Sequence, residues 1–148
     1  MWCTWYRIQK IGLDIAADAN YDLETNKDSG ANAWPYVGYD KSFNINVSDG
    51  GKTTEDIKAV LSGIELKKDC EYSLEFDYSI GTEIDMTIKI DGNNEHYSKL
   101  IKTSKEKTHF ADKFTCNSDD ANAKIEFLFG GQGNCNLTLS NIKLVKLS

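Results

Sequence analysis

The chain has 148 residues, 40% of them hydrophobic and 11% aromatic, which suits one domain with a real core and excludes a disordered segment. Its formal net charge is −6 with Lys and Arg scattered, so it lacks the basic face that nucleic acid or an anionic membrane demands. No run approaches the roughly 18–20 apolar residues of a membrane-crossing helix, so no membrane partner is expected, and an uncharged ligand fits this balance better.

Met1 leads into Trp2-Cys3-Thr4-Trp5 rather than into a charged segment and a long apolar run. That is no secretory leader, and it predicts a module cut from a larger protein. Residues 8–29 sustain no clear period and end in the polar, loop-like stretch 24–30. Residues 34–39, Trp-Pro-Tyr-Val-Gly-Tyr, have turn character. The first clear alternation is 43–47. Residues 56–61 read better as a strand than as a helical turn. The plainest strand is 72–78, where Tyr72, Leu74, Phe76 and Tyr78 fall on one face. Alternation returns at 84–90, 125–129 and 137–144, with turn signals at 48–51, 91–94, 117–120 and 130–134. Many short strands at this spacing predict an all-β sandwich or barrel in one domain spanning 1–148.

Catalytic equipment is sparse. The chain has two histidines, His96 and His109, and neither lies in a nucleophile motif. The GxSxG, phosphate-loop and HExxH patterns are absent, and Gly130, Gly131 and Gly133 read as a turn between strands. Cys3, Cys70, Cys116 and Cys135 are widely spaced without a CxxC pair, which speaks against zinc. They allow one or two disulfides in any of three pairings, or buried free thiols; the spacing leaves both readings open. Glu75, Asp77 and Glu126 take outward strand positions and could pair as glycosidase carboxylates. An open sandwich face supplies no pocket to raise an acid's pKa, so they read as solvated or ligand-bonding groups and no enzymatic activity is expected.

The remaining chemistry is aromatic. Trp34, Tyr36 and Tyr39 put three rings in six residues, and Tyr97 follows a loop among polar Glu95, His96, Ser98 and Lys99. Such rings stack on the apolar C–H face of a pyranose while polar neighbours bond its hydroxyls. Trp34 reads equally well as a core residue.

The order of these segments resembles carbohydrate-binding modules of family 4 and its relatives in families 9, 16 and 22. The resemblance rests on Trp34 to Tyr39 before the first alternating strand, on 63–78 ending in Tyr72-Ser73-Leu74-Glu75-Phe76-Asp77-Tyr78, and on Phe114-Thr115. It rests too on Phe127-Leu128-Phe129-Gly130-Gly131 followed by Ser140-Asn141-Ile142-Lys143-Leu144. It covers residues 34–147, and the first 30 residues, with Trp2, Trp5 and Tyr6, match the family's opening poorly.

The resemblance implies a two-sheet antiparallel jelly roll with a ligand cleft across its concave sheet. It implies Tyr36 or Tyr39 and Tyr97 flanking a glycan, with Asn93 bonding hydroxyls. On the ligand-facing sides of strands it implies Asn44, Asn46, Glu75, Asp77, Thr87, Lys89 and Glu126, without saying which strands share a sheet. Where the family often has glutamine or histidine before its Gly-Gly pair the chain has Leu128, and Gln132 just beyond supplies an amide instead. Ser140 replaces an Asp that is often a calcium ligand, which puts a structural calcium in question. The expected function is a non-catalytic module binding a β-1,4-glucan or xylan of the plant cell wall. It would be secreted as part of a larger protein and target an attached glycoside hydrolase to its substrate. Two other classes are a structural or protein-interaction sandwich with the rings in its core, and a small glycoside-active enzyme using Glu75, Asp77 or Glu126.

Overall fold

The computed structural model describes residues 11–148. The strands are β1 (Asn20–Thr25), β2 (Asn32–Val37), β3 (Phe43–Asp49), β4 (Ile57–Leu66), β5 (Glu71–Ser79), β6 (Asp85–Asp91), β7 (Glu95–Lys102), β8 (Thr108–Thr115), β9 (Asp120–Leu128) and β10 (Cys135–Lys146). Among the described residues, helix is confined to two short 3₁₀ turns, Lys27–Ser29 and Thr54–Asp56. Every strand pairing among the described residues is antiparallel, and two five-stranded sheets result: a first sheet ordered β1-β4-β9-β6-β7 and a second ordered β2-β3-β10-β5-β8. This is the expected all-β sandwich.

Alternation builds the core. On the first sheet, cross-strand register lines up Ile88, Phe127, Ala59 and Leu23 in one inward row and Ile90, Ile125, Leu61 and Tyr21 in the next. On the second sheet, Tyr72, Leu74, Phe76 and Tyr78 point inward beside Leu139 and Leu144 of β10. The two inner faces meet edge to face, Phe76 on Phe127 at 5.0 Å and Tyr21 on Phe43 at 5.3 Å. Ring edges against ring faces are the favourable aromatic geometry.

Three features depart from the linear reading. Residues 34–37 are not a turn but part of edge strand β2, where Pro35 is tolerated because an edge strand can leave one amide side unpaired. The segment that resembled nothing clearly contains β1, an edge strand of the first sheet. Strands β7 and β8 lay in residues that carried no strong alternation signal, because each edge strand puts a charged residue in its inward phase, Lys99 opposite Ile88 and Asp112 opposite Leu74. Cys70, Cys116 and Cys135 are free thiols, while Cys3 lies outside the described residues.

The Gly-Gly pair has a steric reason. Gly130 N–H donates to Thr54 O at 3.0 Å and Gly131 N–H to Gly50 O at 2.7 Å. A Cβ at Gly130 would collide with Thr53 O and with Ile57 N, so only glycine lets the two backbones approach.

Candidate functional site

The residues expected in one cleft fall on two opposite outer faces. Lys89 and Glu126, with Thr87, point outward from the first sheet. Trp34, Tyr36, Asn46, Glu75 and Asp77 point outward from the second.

On the first sheet, register sets two outward rows across all five strands. One runs Leu100, Thr87, Leu128, Lys58, Glu24, and the other Ser98, Lys89, Glu126, Val60, Asp22. Outward residues of a lone sheet face are ordinarily wet, yet Val60 and Leu128 are 3% exposed and Glu126 4%. Glu126 sits on β9, the central strand, so neighbours close over it from both sides. Burial, then hydrogen bonding and charge from Asp91, push its acid up to about 7, opposed by Lys124 and Lys58. Asp91 Oδ1 is itself buried with no other partner among the described groups. Lys89 stands beside Glu126 in register and pairs at 3.8 Å with Glu95. A desolvated acid ringed by lysines beside buried Val60 and Leu128 makes this face the candidate site.

On the second sheet, the outward rows are Trp34, Asn46, Asn136 and Tyr36, Asn44, Thr138, Ser79. Beyond them lies a charged group. His109 on edge strand β8 bonds Asp77 Oδ1 through Nδ1 at 2.7 Å and approaches Glu75 through Nε2 at 3.3 Å. The Asp77 and then the Glu75 bonds hold the His109 pKa above its ordinary value, and bonds from Asn141 and His109 hold Asp77 below its own. Ser140 lies beside Asp77 in register, Asp77 spends one oxygen on His109 and the other on Asn141 at 2.8 Å, and among the described residues no cluster of acidic, His or Cys side chains is grouped to hold a metal ion.

Four further expected residues join neither row. Tyr39 lies at the tip of the β2–β3 hairpin, fully exposed. Tyr97 pairs with inward-facing Ile90, donates its hydroxyl to Asp112 Oδ2 at 2.7 Å and packs on Phe114, so it ties β7 to β8 across the sandwich edge. Burial and the Asp112 carboxylate raise its pKa. Asn93 is spent in the β6–β7 turn, its backbone N–H on Asp120 Oδ2 at 2.8 Å and its amide on Asp119 O at 2.6 Å. Gln132 accepts from Asp85 N–H at 3.2 Å and donates to Gly130 O at 3.5 Å. Sequence reasoning missed Val60, Lys58, Lys124 and Asp91 around Glu126, and His109 beside Asp77. The signal was parity: each shares the outward phase of a strand, but only register shows which phases align.

Comparison with known proteins places this geometry. The profile of the family described as "Carbohydrate binding domain" matches residues 17–134, so the match begins inside the stretch expected to fit poorly. No curated protein matches in sequence. A solved structure described as "CBM4 structure and function" is similar with a TM-score of 0.78 at 18% identity, covering 93% of this chain and 95% of that one. The N-terminal cellulose-binding domain of Cellulomonas fimi β-1,4-glucanase C gives 0.67 at 14%, covering 95% and 99%. The Clostridium thermocellum endo-1,4-β-D-xylanase 10B, CBM22-1 and GH10 modules with xylohexaose, gives 0.58 at 9%, covering 93% of this chain and 27% of that one. At these identities the likeness is one of jelly-roll fold.

Proposed function

Because the chain belongs to the carbohydrate-binding domain family, we propose that it holds a β-1,4-glucan or xylan of the plant cell wall across the outer face of the first sheet. The observation that carries the placement is Glu126, outward on the central strand yet 4% exposed and with its acid pushed up to about 7. A carboxyl group kept out of water bonds a sugar hydroxyl without competing solvent, and so contributes more than an exposed one. Lys58, Lys89 and Lys124 would donate to ring and hydroxyl oxygens, and Leu100, 65% exposed at the end of the Thr87 row, would meet the apolar C–H face. The module would be secreted, attached to a glycoside hydrolase that it brings to its substrate; the xylanase with paired CBM22-1 and GH10 modules supports that arrangement. The binding role is non-catalytic. Glu126 and Asp91 are in hydrogen-bond contact, whereas glycosidase carboxyls stand roughly 5–9 Å apart to flank the scissile bond.

Affinity gel electrophoresis against soluble glucans, xylan, xyloglucan, glucomannan and pectins tests this reading. A glucan or xylan should retard the protein, and Glu126→Ala should weaken that retardation about tenfold, the loss of roughly one charge-assisted hydrogen bond. Retardation by none of them would return the fold to a structural or protein-interaction role.

A further inference from the structure

The rings lie on the other side of the molecule from Glu126. Trp34 and Tyr36 are two residues apart on β2, 51% and 58% exposed, on the outer face of the second sheet. Side chains at that spacing on an extended strand stand roughly 6.6 Å apart, on the scale of one sugar step. Register carries each ring's row onto β3 and β10, Trp34 to Asn46 to Asn136 and Tyr36 to Asn44 to Thr138.

The amides in these rows divide into committed and free. Asn44 accepts from Thr138 Oγ1 at 2.8 Å and donates to Ser42 Oγ at 3.0 Å. Asn46 and Asn136 have no side-chain hydrogen-bond partner among the described residues. Both line, with Trp34, Ser48 and Asn134, a depression of about 420 Å³. A second depression of about 320 Å³ runs from Tyr36 to Tyr39 at the hairpin tip. Neither row carries a charged side chain through β2, β3 and β10.

We propose that this face is a second glycan site, in which an uncharged β-linked polysaccharide stacks on Trp34 and Tyr36 and bonds its hydroxyls to the free amides of Asn46 and Asn136. Flat exposed rings beside unspent amides, with no charge, complement a neutral polyol. A protein partner would instead meet a more apolar centre bounded by a polar rim. The inference goes beyond the reading of the Glu126 face and stands apart from it: the two sheets place the two sites back to back, so one domain would hold two chains and link them.

The test is a titration of the ¹⁵N-labelled full chain with cellohexaose and with xylohexaose, followed residue by residue, for the wild type, Trp34→Ala/Tyr36→Ala and Glu126→Gln. Both rings are more than half exposed, so the double variant should keep a dispersed, folded spectrum. Two separate sets of shifts are expected in the wild type, one around Asn46 and Asn136 and one around Glu126. The double variant should weaken the first at least tenfold and leave the second; Glu126→Gln should do the reverse. Asn46 and Asn136 signals unmoved by both sugars, or moved equally with and without the rings, would overturn the second site. Shifts confined to the ring face would sustain it and instead remove the Glu126 face as the primary site.

Discussion

An outward acid at the centre of a five-stranded sheet is ordinarily solvated, and Glu126 is not. The unfolded chain titrates it near 4.5 and the fold near about 7. Between those values the folded state keeps a proton that the unfolded state has released, so stability falls as pH rises through this window and is flat above it. The full shift corresponds to on the order of 3 kcal/mol. Glu126→Gln removes the titration while keeping the shape. Its melting temperature should match the wild type below pH 4.5 and exceed it increasingly up to about pH 7; equal melting temperatures at pH 8 would contradict the raised pKa of Glu126. The same position shows why site legibility was partial: alternation gave Glu126 an outward phase, but its burial comes from residues 35 and 66 positions away, Asp91 and Val60, brought alongside by register.

The β6–β7 hairpin is held at its turn by a buried polar clamp. Asp120 accepts from Asn93 N–H and pairs with His96 Nε2, both at 2.8 Å, and from Asn122 N–H at 3.0 Å, while His96 Nδ1 meets Asn117 Oδ1 at 2.8 Å. The side chain of Asp120 presses so close to Gly92 that a Cβ there would overlap it. Gly92→Ala should therefore displace Asp120 and leave buried partners unsatisfied, costing about 2 kcal/mol in urea unfolding. A neutral result would mean that the turn simply shifts aside. Because the clamp lies at the turn and not on either outward row, the folded variant should keep its glycan affinity. Asn93 within this clamp, and Tyr97 bonded to Asp112, also hold the end and edge of the sheets together.

The whole molecule depends on the two inner faces meeting. Phe76 is fully buried, stacked on Phe110 within its own sheet at 4.8 Å and edge-on to Phe127 of the other at 5.0 Å. Removing it leaves a cavity that both sheets line and neither can fill alone. Phe76→Ala should cost about 3–5 kcal/mol, and unfolding should remain a single transition because the sheets share the core. Two separated transitions would show that the sheets fold independently. The sandwich also decides function geometrically, since its opposite outer faces cannot serve one ligand chain at once.

Strand content, the inward residues and the family likeness were legible in the sequence by itself, because they are local: period-two alternation in 72–78, the Gly130-Gly131 turn and the Tyr72-to-Tyr78 pattern need no distant partner to read. Which outward residues share a face belonged to the tertiary structure. Strand parity says only that Asp77, Lys89 and Glu126 point out. The order β1-β4-β9-β6-β7 against β2-β3-β10-β5-β8 puts Asp77 on one side of the molecule and Lys89 and Glu126 on the other. Sheet order is set by how chain-distant strands pair around a common core, and that pairing leaves no mark in the alternation of any one strand.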